Sequence, residues 1–345
     1  MSATTASLAD LRGADEPRFG GKSTALGELL TGGIPVPPGF AVSVDAFREH
    51  LRAADLDREI HEALRGLDVS DTDALGAAAA RAEAAVRAAE VPAAVRDEIA
   101  ARYAELCAAV GDPNAGVAVR SSAVGEDSAE ATFAGQQETY LWVRGADAIV
   151  ERVRDCWASL YSAEATAYRA HHGDAGDEPA MGVTVQLMAD ADVAGVMFTC
   201  NPVSGDPSVV AIDAAWGLGL GVVGGDVTPD EFLVSKVSRD VVRRQISRKE
   251  VEHRPAPGGG TEVVPVDDER ASAPCLDDVA LAALLDVARA VQAHFGSHQD
   301  IEWALAGGEL YVVQSRPVTV MAKTEGPKGA SAMDLIMHQF GVPGR

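Results

Sequence analysis

Apolar and polar residues alternate most regularly near the end of the chain, where they predict a β-hairpin. Over residues 299–305 the alternation has a period of two, which places Asp300 and Glu302 on one face of a strand. A second strand is predicted beyond a glycine-containing turn, and Gln314 and Arg316 share one of its faces. If the two polar faces coincide, carboxylates, an amide oxygen and a guanidinium converge on one patch, which suits Mg²⁺ and phosphate.

The length of the hairpin loop decides whether those faces coincide. A two-residue loop formed by the two glycines would pair Glu302 with Val313 and turn Gln314 to the opposite face. A three-residue loop over 306–308 would pair Asp300 with Gln314 and leave Glu302 diagonal to it. We predict the three-residue loop. The alternative is an ordinary amphipathic hairpin with a solvated outer face, and the hairpin alone favours that alternative.

The rest of the chain mixes helical and strand-like patterns, which predicts an α+β fold. Helices are predicted over residues 23–30, 45–56, 72–89, 93–109, 146–170 and 277–294. Strands are predicted over 181–188, 193–199 and 208–216, with an antiparallel pair over 231–237 and 241–249 and a loop over 253–260.

Composition narrows the class of protein. The chain has 345 residues, 47% hydrophobic and 23% charged, as in globular proteins with a large core. Its net charge of −23 argues against nucleic-acid or anionic-membrane partners, although a nucleotide could bind in a locally basic pocket. Four scattered cysteines without a CxxC pair predict buried free thiols in a reducing compartment. Because the sequence shows neither a signal peptide nor a membrane span, we expect a cytoplasmic protein.

A lysine at the start of the first predicted helix is a candidate phosphate contact. Lys22 follows Gly20 and Gly21, and the free N–H groups of a helix start favour an anion. The segment is not a Walker A loop, because Glu16 stands where that motif needs glycine. A lone lysine at a helix start is usually only solvated.

A second candidate lies where a predicted apolar strand ends in small and hydroxyl residues. Arg120 and Ser121 begin a segment that extends to residue 135, and such a segment could form a mobile phosphate-binding lid. Alternatively, Arg120 pairs with Glu126 or Asp127 in an ordinary surface loop. The residues alone leave both interpretations open.

A glycine-rich segment over 216–225 satisfies the GxGxxG spacing after a predicted strand. We predict no Rossmann site there, because Pro229 stops any long helix and leaves no βαβ unit.

Seven segments occur in the order found in one known family. They are residues 20–23 with 33–40, 119–123 with 126–127, 133–136, 195–199 with 201–202, 216–219, 300–303 and 314–317. Together they resemble the N-terminal ATP-binding domain, of ATP-grasp type, shared by phosphoenolpyruvate synthase, pyruvate phosphate dikinase and rifampicin phosphotransferase. The resemblance covers about residues 12–319. It implies two lobes, 1–185 and 186–320, with the nucleotide in the cleft between them and a tail over 321–345.

The resemblance also implies a role for individual residues. Lys22, Arg120 and Arg316 would contact the ATP phosphates, with Arg120 the main stabiliser of the transferred group. Glu302 and Gln314 would hold Mg²⁺. The adenine hinge strand and the lid loop would supply the remaining nucleotide contacts, which are Gln186, Leu187, Met188, Ser121 and Thr132.

Two departures from the family pattern bear on function. Leu220 stands where the glycine-rich segment usually has glutamate, and the sequence lacks the family's catalytic-histidine loop. We therefore expect a stand-alone ATP-binding subunit of a split dikinase, which passes a phosphoryl group to a histidine on a partner protein and yields AMP and phosphate. The alternatives are a self-sufficient kinase or ligase acting on a small molecule, and a nucleotide-binding regulatory module without turnover.

Overall fold

A computed structural model describes residues 3–64, 71–125, 138–172 and 181–318. Within the chain, contacts define two compact units: Met1–Thr24 with Pro38–Met188, and Ala25–Pro37 with Ala189–Arg345. The lobe boundary at residues 185/186 stays a prediction. The predicted tail over 321–345 lies outside the described residues. In the described part of the chain, no helix has the length and apolar composition to cross a bilayer.

The first unit contains a five-stranded antiparallel sheet in the order β1-β2-β5-β3-β4. Its strands are β1 (Thr5–Ser7), β2 (Gly39–Val42), β3 (Val117–Ala123), β4 (Thr139–Val143) and β5 (Met181–Leu187). Its helices are α1 (Glu16–Phe19), α2 (Gly21–Thr31), α3 (Val44–Ala53), α4 (Leu56–Leu64), α5 (Thr72–Ala88), α6 (Ala93–Val110), α7 (Ala146–Ser159) and α8 (Ala163–His172). Helix α2 is shared, because the division between the units falls after Thr24.

One face of this sheet forms the core of the first unit. Alternate residues of β3 and β5, such as Val119 and Val183, pack with apolar residues of the helices, including Ile99 and Trp157. The prediction of one helix over 146–170 is wrong. The chain turns after α7, and the hydroxyl of Ser162 accepts a hydrogen bond from Ala165 N, which starts α8 as a new helix.

The second unit contains a six-stranded sheet in the order β13-β12-β6-β7-β8-β9. Its elements are β6 (Val193–Phe198), β7 (Val209–Trp216), α9 (Leu220–Val223), β8 (Asp230–Ser235), β9 (Val241–Gln245), β10 (Val251–Pro255), β11 (Thr261–Pro265), α10 (Asp268–Ser272), α11 (Asp278–Phe295), β12 (Gln299–Ala306) and β13 (Glu309–Pro317). Every neighbouring pair in this sheet is antiparallel, which confirms that the glycine-rich segment opens no Rossmann unit. Strands β10 and β11 form a separate hairpin, and β10 includes residues predicted as loop.

A fully buried ion pair anchors the start of β8. The ammonium of Lys249 donates a 2.6 Å hydrogen bond to Asp230, and both side chains are completely shielded from solvent. The Asp230 carboxylate also accepts hydrogen bonds from the backbone N–H groups of Ser247 and Cys275. Three donors from two different segments thus hold β8 in place, which compensates for the cost of burying the charge.

We predict that Lys249→Met lowers the free energy of unfolding by about 3 to 5 kcal/mol, because it leaves the Asp230 carboxylate buried without its countercharge. Urea unfolding followed by tryptophan fluorescence measures the change. Arg239→Met, which breaks the exposed ion pair with Asp286, is the matched control and should leave the midpoint unchanged. Equal effects of the two substitutions would contradict the prediction.

Candidate functional site

In the first unit, the predicted phosphate contact Arg120 and the predicted adenine contact Gln186 share one face of the five-stranded sheet. Arg120 on β3 lies directly opposite Thr184 on β5, and Gln186 lies opposite Ala118. Because alternate residues of a strand face the same way, Arg120 and Gln186 are diagonal neighbours on that face. Residues nearly seventy positions apart therefore belong to one surface of the sheet.

Helix α2 begins against this same region and brings Lys22 to β3. The Lys22 ammonium donates a 2.9 Å hydrogen bond to the carbonyl of Ser121, the residue after Arg120. Ser23, the next residue, makes two hydrogen bonds to the sheet. Its backbone N–H donates to the Ser122 hydroxyl, and its own hydroxyl lies 2.7 Å from that of Thr184. Lys22 is thus buried at the strand rather than solvated at a helix start.

Two glycines permit this close approach of helix and sheet. A Cβ on Gly20, whose φ is 79°, would lie 1.9 Å from the carbonyl oxygen of Ser122. A Cβ on Gly182 in β5 would lie 2.4 Å from the carbonyl oxygen of Phe19. Any larger residue at either position would push the start of α2, and with it Lys22, away from the sheet.

The other residues predicted to contact the nucleotide in this unit do not share the face of Arg120 and Gln186, lie beyond the end of β5, or lie outside the described residues. Ser121 turns towards the core face, and its buried hydroxyl makes no hydrogen bond, so its carbonyl is the group that meets Lys22. Leu187 also alternates away from Gln186, and the Met188 backbone N–H bonds the carbonyl of Gly116. Thr132 and most of the predicted lid lie outside the described residues.

In the second unit, the predicted three-residue hairpin loop is wrong. Ala306 pairs with Glu309, so the loop consists of Gly307 and Gly308 alone. Both glycines have positive φ, 57° and 85°, as a two-residue turn of type I′ requires. Asp300 consequently does not pair with Gln314.

A β-bulge nevertheless brings the two polar faces together. Trp303 pairs with Val312, but Glu302 pairs with Gln314, which leaves Val313 as an extra residue in β13. Without the bulge, the two-residue loop would have turned Gln314 to the opposite face. The bulge shifts the register by one residue, so that the Glu302 and Gln314 side chains lie directly opposite each other on one face.

The same register pairs the remaining two polar residues. Asp300 lies opposite Arg316, and the guanidinium donates a 2.9 Å hydrogen bond to its carboxylate. Burial raises the pKa of Asp300, and the positive charge of Arg316 opposes that shift. All four polar residues predicted for this patch are therefore brought together, although with different partners from those expected.

The oxygen donors of this patch fit a magnesium ion. Glu302 offers a carboxylate and Gln314 an amide oxygen from adjacent strands, which are the hard ligands that Mg²⁺ takes alongside water and phosphate oxygens. Contacts on the opposite face hold the hairpin. The Ser315 hydroxyl donates a hydrogen bond to the Gln299 side chain, and the Gln299 backbone N–H donates one to the hydroxyl of Thr199, the residue directly after β6. The Glu302 and Gln314 side chains thus stand on a fixed framework.

Sequence analysis missed two carboxylates on the same face of this sheet. Asp213 on β7 lies directly opposite Glu231 on β8, and Val196 separates Asp213 from Glu302 along one cross-strand row. Burial raises the pKa of Asp213 to about 7, with a smaller contribution from the charge of Glu231. The sequence does carry a signal for Asp213, because it is the single acid inside the otherwise apolar run 209–216.

Comparison with known proteins identifies the family. The family described as pyruvate phosphate dikinase, AMP/ATP-binding domain, matches residues 16–335, which is most of the chain. The chain belongs to this family. The resemblance inferred from the seven segments is confirmed, and AMP or ATP is the ligand named in the family's description.

Similar proteins include archaeal and bacterial members. The chain is 40% identical over 328 residues to the Methanocaldococcus jannaschii protein named "Probable phosphoenolpyruvate synthase", covering 95% of this chain and 28% of that protein. It is 35% identical to the phosphoenolpyruvate synthase of Pyrococcus furiosus, covering 95% of this chain and 45% of that protein. It is 40% identical to a rifampicin phosphotransferase of Streptomyces sp, covering 91% and 36% respectively. The chain thus spans less than half the length of each of these relatives.

We predict that Glu302→Gln raises the Mg²⁺ concentration needed for half-maximal ATP binding by about tenfold or more, which corresponds to about 1.4 kcal/mol. The substitution replaces a charged oxygen ligand with a neutral amide of the same shape. Calorimetric titration of ATP at several Mg²⁺ concentrations measures the shift. Glu309→Gln, at the exposed end of the same hairpin, is the matched control and should leave the Mg²⁺ dependence unchanged.

Proposed function

We propose that this chain is an ATP-dependent phosphotransferase domain of ATP-grasp type. The observation that carries the proposal is the paired arrangement of Glu302 with Gln314 and of Asp300 with Arg316, within a chain of the dikinase AMP/ATP-binding family. The approach of Lys22 to the strand of Arg120 supports it from the first unit. Each unit contributes side chains of the kinds that phosphate and Mg²⁺ require.

Phosphoryl transfer requires positioning and charge neutralisation more than covalent chemistry. In the proposed mechanism, Lys22 and Arg120 bind phosphate oxygens, and Arg120 stabilises the charge of the group in transfer. Arg316, held by Asp300, orients another phosphate. Glu302 and Gln314 would hold Mg²⁺, which when bound neutralises phosphate charge.

We assign the adenine contacts to the end of β5. The Gln186 side chain, on the Arg120 face, offers both donor and acceptor groups, and Leu187 offers apolar surface. The backbone of β5 is itself held on both sides, because Gln186 pairs with Gly39 on β2 and with Ala118 on β3. Such a fixed strand end suits recognition of a flat base. Thr132, in the proposed lid, and Ser121, through its backbone, complete the proposed nucleotide set.

The acceptor in the leading proposal is a histidine on a separate protein or domain. Of the two phosphoryl groups removed from ATP, one would be transferred to the histidine and the other to water. ATP and water thus yield AMP, phosphate and one phosphohistidine. The two relatives named as phosphoenolpyruvate synthases support this proposal, since the chain matches less than half of each. Direct phosphorylation of a small molecule is the second candidate, supported by the relative named as a rifampicin phosphotransferase.

Product analysis distinguishes the two candidates. The purified chain is incubated with Mg-ATP and a histidine-bearing domain taken from one of the relatives, and nucleotides are separated by chromatography. We expect AMP and phosphate to form together with an acid-labile phosphoprotein. Formation of ADP alone would contradict transfer to histidine with AMP release. Turnover with a small acceptor and no protein partner would establish the second candidate instead.

We predict that Arg120→Ala lowers the rate of phosphoryl transfer by about 10²- to 10³-fold or more, because a preorganised cation at the transferred group is lost. Circular dichroism should show an unchanged fold. Arg58→Ala, which removes an exposed arginine paired with Asp55 on the surface of the same unit, is the control and should retain the wild-type rate. A wild-type rate in Arg120→Ala would refute the assignment of Arg120.

A further inference from the structure

Two carboxylates face each other on adjacent strands of the six-stranded sheet. Asp213 and Glu231 are direct cross-strand partners on β7 and β8, so their side chains emerge on the same face. Like charges placed directly opposite each other destabilise a sheet. Such a pair therefore calls for a compensating positive charge.

One carboxylate oxygen of Asp213 is buried and has no hydrogen-bond partner. The residue is 3% exposed, and its Oδ2 atom has no hydrogen-bond partner. Buried polar atoms are almost always bonded, and an isolated buried carboxylate is costly. The pKa of Asp213, raised to about 7 by burial and then by Glu231, reflects the same unfavourable surroundings.

The position of Glu231 is fixed, so the pair cannot separate easily. Its neighbour Asp230 is held by the buried Lys249 and by two backbone donors. Arg243 approaches the outer side of Glu231 at 3.7 Å, and its own side chain is more than half exposed. This exposed guanidinium offsets part of the charge of Glu231 but supplies no bond to Asp213 Oδ2.

The pair is separate from the proposed Mg²⁺ ligands of the hairpin. Glu302, Val196 and Asp213 occupy successive strands of one row, so two strand spacings, about 9 to 10 Å, separate the backbones of Glu302 and Asp213. The Val196 side chain stands between Glu302 and Asp213 in this row, whereas Glu231 lies directly opposite Asp213 and Gln314 directly opposite Glu302. The face therefore has two sets of oxygen ligands.

We propose that Asp213 and Glu231 bind a hard divalent cation, Mg²⁺ or Mn²⁺, at a second site that is distinct from Glu302 and Gln314. Ligands that are all oxygen select hard cations over zinc or copper. Among the described residues, no group of three or more His, Cys, Asp and Glu side chains is placed to hold a metal. Water therefore completes the coordination, as is usual for Mg²⁺ bound by one or two carboxylates.

The test is a titration of the nucleotide-free chain with Mn²⁺, with free Mn²⁺ quantified by electron paramagnetic resonance. The Glu302→Gln variant isolates the second site from the hairpin ligands. We expect Glu302→Gln to retain one Mn²⁺ site, and the double variant Glu302→Gln/Asp213→Asn to lose at least tenfold in affinity for it. Glu302→Gln/Glu262→Gln, which changes an exposed acid on β11, is the matched control and should bind as Glu302→Gln does.

Thermal unfolding keeps the inference testable if the variants differ in stability. In the absence of metal, Asp213→Asn should melt at or above the wild-type temperature, because the substitution removes an unpaired buried carboxyl group. Mn²⁺ should raise the melting temperature of Glu302→Gln but not that of the double variant. Absence of Mn²⁺ binding in Glu302→Gln, or equal binding in the Asp213 double variant, would overturn the second site and leave the proposed phosphotransferase function untouched.

Discussion

A single extra residue in β13 sets the chemistry of the hairpin on which the second unit's site depends. The tight turn at Gly307 and Gly308 alone would direct Gln314 away from Glu302. The bulge at Val313 turns Gln314 back towards Glu302, because one additional residue in a strand moves each later side chain of that strand to the other face. Turn and bulge thus act together, and Glu302 faces Gln314 only because both are present.

In the first unit, close packing of a helix against the sheet, rather than strand register, places Lys22. Gly20 and Gly182 allow the start of α2 to lie against the sheet, where Lys22 reaches the carbonyl of Ser121. The serine and threonine hydroxyls beneath the helix satisfy one another and one N–H of the helix start. Small residues are therefore required there by geometry, and the buried lysine follows from them.

Three acids of the second unit, Asp230 and Asp213, which are buried, and Asp300, which is partly buried, have different charge partners. Asp230 has Lys249 and two backbone donors, which hold the start of β8. Asp300 has Arg316, which ties a cation to the proposed phosphate site. Asp213 has Glu231 opposite it and a carboxylate oxygen without a bond. Asp230 is structural, and Asp300 holds the proposed phosphate contact Arg316, whereas the surroundings of Asp213 suit the proposed cation.

The sequence alone determined most of the kinds of elements, the order of the family segments and most of the residues of the proposed site, because periodicity and local motifs lie within a few residues of chain. It could not reveal the bulge, since Tyr311, Val312 and Val313 form an unbroken apolar run. Without a polar residue in that run, the sequence does not show which face of the sheet each side chain takes. Nor could it pair Asp213 with Glu231, because cross-strand neighbours are fixed by sheet register. Only the tertiary structure decided which polar residues face one another, since that depends on hydrogen bonding between strands far apart in the chain.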